Sequence, residues 1–282
     1  MEIEYKNVSY IYNRDTSLRK KAIDNLSIAI KDNKINGIIG QSGSGKTTMI
    51  EMLEALLIPT TGNVKVDEFN INGVNKIRNI NNLRKRVGIV FQFPEEQFFN
   101  LTVKKEIEFG LLNLNYRTKE IDKRIKDSLL MVGLDESYLD RDPFTLSNGE
   151  QRKVAIASTL AYNPKLLVFD EPTIGLDDDS KNLFIKMIRN LKNKFNKTII
   201  IVSHDLDMLN EIVDYAIVIN KGKVLLEGNK YNVFTNNILE KYNIGIPKVI
   251  EFEKLVLEKK GIKLGFRDNV NDLLKDIYRN VR

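Results

Sequence analysis

The run Gly40-Gln41-Ser42-Gly43-Ser44-Gly45-Lys46-Thr47-Thr48 sets three glycines ahead of a lysine and two hydroxyls, a pattern suited to holding phosphate. Glycines let consecutive backbone N–H groups turn toward one point, and a helix starting at the lysine adds positive potential there. Lys46 is expected to reach the β- and γ-phosphates of a nucleotide, and the Thr47 hydroxyl to ligate magnesium. Farther along, Asp170 and Glu171 follow an apolar run that ends at Phe169. Ligands of open α/β sheets bind at the carboxyl ends of strands. Asp170 is therefore expected to hold the magnesium, commonly through water, and Glu171 to polarise the attacking water. Two adjacent carboxylates are more often a turn than a site; the Pro172-Thr173 that follows and the phosphate loop that precedes reverse this.

Two further polar residues fall at the ends of apolar runs. His204, the one histidine of the chain, comes just after residues 198–202. Its expected contact is the γ-phosphate and the attacking water, fixing transition-state geometry. Gln92 follows residues 87–91, and its amide is placed to sense magnesium or water and to link the site to what comes next in the chain.

Elements that position these groups can be read from periodicity. Residues 3–12 and 26–30 alternate as antiparallel strands with one wet face, whereas residues 35–39 form a short apolar run ending at glycine, as a buried parallel strand does. The phosphate loop leads into a helix expected over residues 46–57, with Met49, Ile50, Leu53 and Leu57 on one face and Pro59 as its stop. Between Phe99 and Asp140 the pattern is helical: Thr102 can cap one helix, and Ile121, Ile125, Leu129 and Val132 make a stripe closed by Gly133. The apolar runs 166–169 and 198–202 read as strands covered on both faces. After about Asn236 a tail begins. Val249, Phe252 and Val256 mark one helical face ending at Lys259-Lys260-Gly261, and Val270, Leu273, Leu274 and Ile277 mark another after Asp268-Asn269.

Composition bounds the rest. The 282 residues carry 42% hydrophobic and 29% charged side chains, as soluble globular chains do, and no apolar stretch nears the ~18 residues of a membrane-spanning helix. The start of the chain lacks the pattern of a secretory segment. With no cysteine, a reducing cytoplasm is the expected compartment. The net charge of +6 is spread among acidic residues along the chain, so no nucleic-acid partner is expected from it.

Leu146-Ser147-Asn148-Gly149-Glu150 is a capping box at a helix start, with Ser147 and Glu150 as its members. It also resembles the L-S-G-G-Q signature of ABC ATPases, a class of P-loop NTPase. Phosphate loop, Gln92, signature, Asp170-Glu171, Gly175-Leu176-Asp177 and His204 occur in the order of that family through residues 1–235. The resemblance implies an α/β fold: an ABC nucleotide-binding domain with an antiparallel β subdomain, a helical subdomain inserted at about residues 100–163, and a small helical extension over 236–282. It implies ATP as the nucleotide, with Ser147 and the Gly149 amide touching the γ-phosphate held by an opposite subunit. Asp177 would be the dimer-interface aspartate, and Tyr12, rather than Tyr10, the ring stacked on adenine. Asn148 and Glu150 depart from the family's glycine and glutamine. Asparagine tolerates positive φ well, but an added carboxylate sits uneasily beside phosphates, and an asymmetric heterodimer is the expectation.

Within the family the chain is similar to the ATPase subunits of energy-coupling-factor (ECF) transporters, and to the second of their two paralogues. The residues that carry this are Val8-Ser9-Tyr10-Ile11-Tyr12 with a long link to Ala22-Ile23, the run Phe91-Gln92-Phe93-Pro94-Glu95-Glu96-Gln97-Phe98-Phe99, and the tail Ile246-Pro247-Lys248-Val249. The resemblance implies ATP hydrolysis that powers import of vitamins or transition-metal ions, at the cytoplasmic face of the cell membrane. Its implied partners are a second ATPase, a transmembrane coupling subunit docked on residues 94–99, and substrate-binding membrane subunits; the C-terminal helices would join the two ATPases. The alternatives are an ATPase of another ABC importer or a nucleic-acid-acting ABC ATPase. The latter tend to carry a long coiled coil between glutamine and signature, or two cassettes, and this chain has neither.

Overall fold

The computed structural model describes residues 1–280. Its first layer is an antiparallel sheet of β1 (Ile3–Tyr12), β2 (Lys20–Ala29), β4 (Thr61–Val66) and β5 (Phe69–Ile71), in the order β2-β1-β4-β5. Between β2 and β4 the chain leaves this sheet to form β3 (Ile35–Ile39), every residue of which is buried. The second sheet runs β10-β9-β3-β8-β7-β6, built with β6 (Val87–Val90), β7 (Leu166–Asp170), β8 (Thr198–Val202), β9 (Tyr215–Asn220) and β10 (Lys223–Asn229). The strands from β9 through β6 pair parallel, and β10 turns back antiparallel to β9. Continuous apolar runs suit strands covered on both faces, and β3, β6, β7 and β8 are buried throughout.

The two faces of the large sheet lie against different partners. One buries Ile38, Val168, Ile200 and Val202 with the inward side chains of the antiparallel sheet, among them Tyr5, Leu26 and Val64. The other buries Ile39, Leu167, Phe169 and Ile201 against helices. Phe169 is fully buried and meets Phe184 edge-on at 5.5 Å between ring centres. Burial of one such side chain stabilises by about 1.5–3 kcal/mol, and the edge-to-face pair adds about 0.5–1.5 kcal/mol.

Eleven helices occur among the described residues. The helix after the phosphate loop is shorter than its periodicity predicts: α1 spans Lys46–Glu51 and continues as a 3-10 turn, Met52–Glu54. Ala55 then takes the left-handed conformation, φ 54°, and the Leu56 N–H donates to the Glu51 carbonyl at 3.0 Å. This Schellman closure satisfies end carbonyls that a longer helix would have used internally, and Pro59 is spent on the strand entry instead. After α2 (Ile80–Arg84) come the inserted helices α3 (Val103–Asn113), α4 (Thr118–Met131) and α5 (Asn148–Ala161). Thr102 caps α3 by accepting from the Lys105 N–H, and Gly133 closes α4 at φ 75°. The stripe Ile121, Ile125, Leu129 and Val132 is buried as its spacing requires.

The chain then adds α6 (Asp178–Phe195), α7 (Leu206–Ile212), α8 (Lys230–Phe234) and α9 (Ile238–Lys241), and ends in α10 (Lys248–Lys260) and α11 (Val270–Asn280). Of the face expected on α10, Val249 is buried but Phe252 is exposed; the helix touches the body mainly through its first turn, at Val249 and Ile250. On α11, Leu273 is buried while Val270 and Leu274 are exposed. Among the described residues no helix is long and apolar enough to cross a membrane.

Leu129 has no exposed surface and sits where α4 packs on α5. Leu129→Ala is expected to lower unfolding stability by about 2–5 kcal/mol, read as a lower denaturant midpoint; a loss under half a kcal/mol would mean that this layer is not packed as described.

Candidate active site

Parallel pairing brings the ends of four strands to one edge. Ile38 lies opposite Val202, Val202 opposite Asp170, and Val90 opposite Phe169. The phosphate loop leaves β3, Asp170-Glu171 leaves β7, Ser203-His204 leaves β8 and Gln92 follows β6. A cavity of about 360 Å³ opens there, lined by Lys46, Thr47, Gln92, Asp170, Glu171 and His204, with Tyr12 at its rim.

Close packing dictates glycine at two points of the loop. A Cβ on Gly40 would stand 2.2 Å from the Ile219 carbonyl oxygen, and one on Gly45, at φ 105°, would stand 2.5 Å from that of Ala22. The Lys46 ammonium is buried and donates to the carbonyls of Gly40 and Gln41 at 2.8 and 3.0 Å. Burial lowers its pKa, and the charges of Glu171 and Asp170 act in the opposite sense. Thr47 Oγ1 donates to Asp170 Oδ2 at 3.0 Å. Asp170 is itself buried, which raises its pKa against the lowering effects of the Thr47 hydrogen bond and the Lys46 charge.

Glu171 has an unusual backbone, φ 49°, and a buried carboxylate. Its Oε2 accepts from the Ser203 hydroxyl and from the His204 N–H, each at 3.2 Å. Among the described residues its Oε1 takes no hydrogen bond, although His204 Nε2 lies 3.4 Å away. A buried carboxylate oxygen left unsatisfied is costly and suits an acceptor held ready for water. The sequence reading missed Ser203. It is fully buried, and only its place between β8 and His204 could have marked it.

Other expected residues divide. Tyr12 lines the cavity, its hydroxyl 3.0 Å from Thr48 Oγ1, whereas Tyr10 meets it edge-on and packs toward the core. Ser42 and Gly43 face the cavity, and the hydroxyl of buried Ser44 has no hydrogen-bond partner among the described residues. Gln41 turns away and donates to the Tyr242 carbonyl at 3.0 Å, a contact that spans too much sequence for spacing to reveal. Ser147, Gly149 and Asp177 are not at this cavity. Ser147 and Gly149 border a separate groove, and the Asp177 side chain caps α6 by accepting from the Ser180 N–H at 2.7 Å.

The signature start is already occupied by its own carboxylate. Glu150 Oε2 accepts from the Ser147 hydroxyl at 2.6 Å and the Ser147 N–H at 2.9 Å, and Oε1 accepts from the Tyr138 hydroxyl at 2.6 Å. The Ser147 hydroxyl, then Tyr138, then the Ser147 N–H hold the Glu150 carboxyl down to about 2. Among the described residues no group of three or more His, Asp or Glu side chains is arranged to hold a metal. The Thr47 and Asp170 pair fits an ion that takes most of its ligands from phosphate and water, as magnesium does.

Comparison with known proteins agrees with this geometry. The model of the ABC transporter family matches residues 23–174. The energy-coupling factor transporter ATP-binding protein EcfA2 of Clostridium perfringens is 43% identical across 99% of each chain, and that of Staphylococcus epidermidis 42% identical across 92% of this chain and 91% of its own. Among solved structures, cbiO1 from Clostridium perfringens, part of the ABC transporter complex cbiONQ, superposes with a TM-score of 0.74 at 31% identity, over 89% of this chain and 98% of that one. A dimeric ATP-binding cassette, MJ0796, bound to ADP and Pi, gives a TM-score of 0.71 at 29% identity, over 80% and 98%. The chain therefore belongs to the ABC transporter family as an ATP-hydrolysing subunit, in its branch of energy-coupling factor transporter ATP-binding proteins.

Proposed function

We propose that the chain powers an ECF-type importer of vitamins or transition-metal ions from the cytoplasmic face of the membrane, paired with a second ATPase and docked on a transmembrane coupling subunit. The observation that carries the catalytic part is the convergence of Lys46, Thr47, Asp170, Glu171 and His204 on one cavity. ATP would lay its adenine on Tyr12 and its phosphates along the backbone N–H groups of residues 42–48, with Lys46 moving from the Gly40 and Gln41 carbonyls to the β- and γ-phosphates. Thr47, Asp170 and the Gln92 amide would hold magnesium. When bound, that ion neutralises charge on the phosphates. Glu171 Oε1 accepts a proton from the attacking water, and His204, 3.4 Å from it, orients water and γ-phosphate together.

The cavity is partly open, and a second subunit's helix start would supply its lid. This chain lends its own Ser147 and Gly149 in return, with Asp177 at the interface. Because the Ser147 hydroxyl donates to Glu150, a phosphate brought to it has to displace a carboxylate. That supports a heterodimer whose two sites differ in strength.

Support for docking comes from aromatic side chains at the end of the segment that follows Gln92 and from the rings they meet. Phe99 is 58% exposed, stacked edge-on with half-exposed Phe109, and Phe144 is exposed over buried Phe98. Pro94 and Phe98 face inward, so the docking surface is Phe99 and its neighbours rather than the whole of residues 94–99. The helical extension, residues 236–282 with its exposed Phe252 and Leu255, serves to join the ATPases.

Glu171→Gln in the assembled transporter is expected to retain ATP while turnover falls by about 10²–10⁴, measured as phosphate release; undiminished turnover would remove Glu171 from the general-base role. Phe99→Asp is expected to abolish co-purification with membrane subunits, and a chain that still co-purifies fully would refute the docking surface. The raised pKa of Asp170 gives a third expectation. Protonation of Asp170 favours the nucleotide-free fold; that contribution is complete below the ordinary carboxylate range and is lost as pH rises through the raised folded value. At neutral pH, Asp170→Asn should melt higher than the wild type without nucleotide, with an advantage that shrinks on acidification, while losing magnesium-dependent ATPase activity. A variant that melts lower at neutral pH would contradict this electrostatic account.

A further inference from the structure

Arg152, in the second turn of α5, is 7% exposed and is used by none of the steps above. Its guanidinium touches two other segments. Nη2 and Nε donate to the two carboxylate oxygens of Glu95 at 3.0 and 3.4 Å. Nη1 donates to the carbonyls of Pro172 at 3.1 Å and Ile174 at 2.8 Å. One planar group therefore ties the signature helix to the 3-10 turn Pro94–Gln97, just beyond Gln92, and to the turn that begins at Glu171.

That second turn needs holding. Glu171 sits at φ 49°, a region that a residue with a Cβ occupies only where its surroundings over-determine it. At its start, the Glu171 N–H donates to the Val202 carbonyl at 2.8 Å. Within it, the Ile174 N–H reaches the Glu171 carbonyl only at 3.4 Å, a long bond. Its far end is pinned from outside, by the two bonds from Arg152. The direction of the Glu171 carboxylate toward Ser203 and His204 thus depends on β8 at one end and on Arg152 at the other. Lysine cannot reproduce this, because its donors radiate from one atom and cannot serve a carboxylate on one edge and two carbonyls on another.

We propose that Arg152 is a positioning residue for Glu171, and that Glu95 sets the position of Arg152, so that a displacement of the Pro94–Gln97 turn is passed to the catalytic carboxylate. The pinning of residues 171–174 stands on the contacts alone. The relay rests on the reading that the neighbourhood of Phe99 meets the membrane subunit. Glu95, with 16% of its side chain exposed, is the charged partner that lets the guanidinium remain buried.

The test uses the chain assembled with its partner ATPase and membrane subunits, comparing Arg152→Lys, Arg152→Gln, Glu95→Gln and the double variant Glu95→Gln/Arg152→Gln. Misplacement of a reacting group by about 1 Å costs up to about 10²-fold, so Arg152→Lys is expected to lose about ten- to a hundredfold in kcat. Its affinity for a fluorescent ATP analogue should be unchanged, since the phosphate loop and Tyr12 are untouched. Glu95→Gln should lose less, and the double variant no more than Arg152→Gln alone, as required if Glu95 acts through Arg152. Should Arg152→Gln fail to fold, Arg152→Lys keeps the buried charge and carries the test. Full turnover in Arg152→Lys, or a fall in nucleotide affinity matching the fall in kcat, would overturn the positioning role. Additive losses in the double variant would overturn the relay. Co-purification of Phe99→Asp with the membrane subunits would refute the docking reading yet leave the pinning intact, so the two failures are told apart.

Discussion

Parallel hydrogen bonding among β3, β8, β7 and β6 fixes where each strand ends, and the chemistry depends on that alignment. Evenly spaced bonds between parallel strands allow no local slip without moving a whole strand. With Ile38 opposite Val202 and Val202 opposite Asp170, the first residues past three strands share one edge. A slip of one residue would exchange the side chains that β7 presents to its two differently packed buried faces and carry Asp170 away from Thr47. The fully buried side chains on both faces of the sheet are what make that slip prohibitive, and in this way core packing sets catalytic geometry.

Charge at this edge is held unbalanced. One buried ammonium, Lys46, faces two buried carboxylates, Asp170 and Glu171, and the lysine spends its hydrogen bonds on loop carbonyls. Burial pushes Lys46 down and Asp170 up, so it disfavours the charged form of each. A metal-bound polyphosphate offers each what it lacks: negative charge for Lys46 and the N–H groups, positive charge for Asp170. The open Glu171 Oε1 and Ser44 Oγ belong to the same pattern of groups placed ahead of their partners.

The signature end of the molecule shows the opposite condition. There Glu150 has satisfied the Ser147 hydroxyl and N–H and the Tyr138 hydroxyl from within the chain. A helix start that would attract phosphate has its own anion in place. One chain thus combines a phosphate-loop site whose buried polar groups lack partners among the described residues with a signature helix start that its own carboxylate satisfies.

Much of the fold was legible in local pattern. Buried parallel strands, the stripe of α4, the Thr102 cap and the Gly133 closure follow from side-chain period and turn chemistry, which act over a few residues. Local pattern missed where competing interactions decided. Ala55 closed α1 early by a Schellman motif, and Phe252 remained exposed because α10 buries apolar side chains mainly in its first turn. The residue types of the site, from Gly40 through His204, were legible in sequence, because phosphate needs a glycine-rich backbone and a lysine, and the accompanying magnesium and water need carboxylates at strand ends, whatever surrounds them. Tertiary structure alone decided that Ser203 shares the Glu171 carboxylate, that Gln41 reaches Tyr242, and that Arg152 joins Glu95 to the turn after Glu171. Each of these contacts is set by packing between elements distant in the chain, where no spacing rule applies.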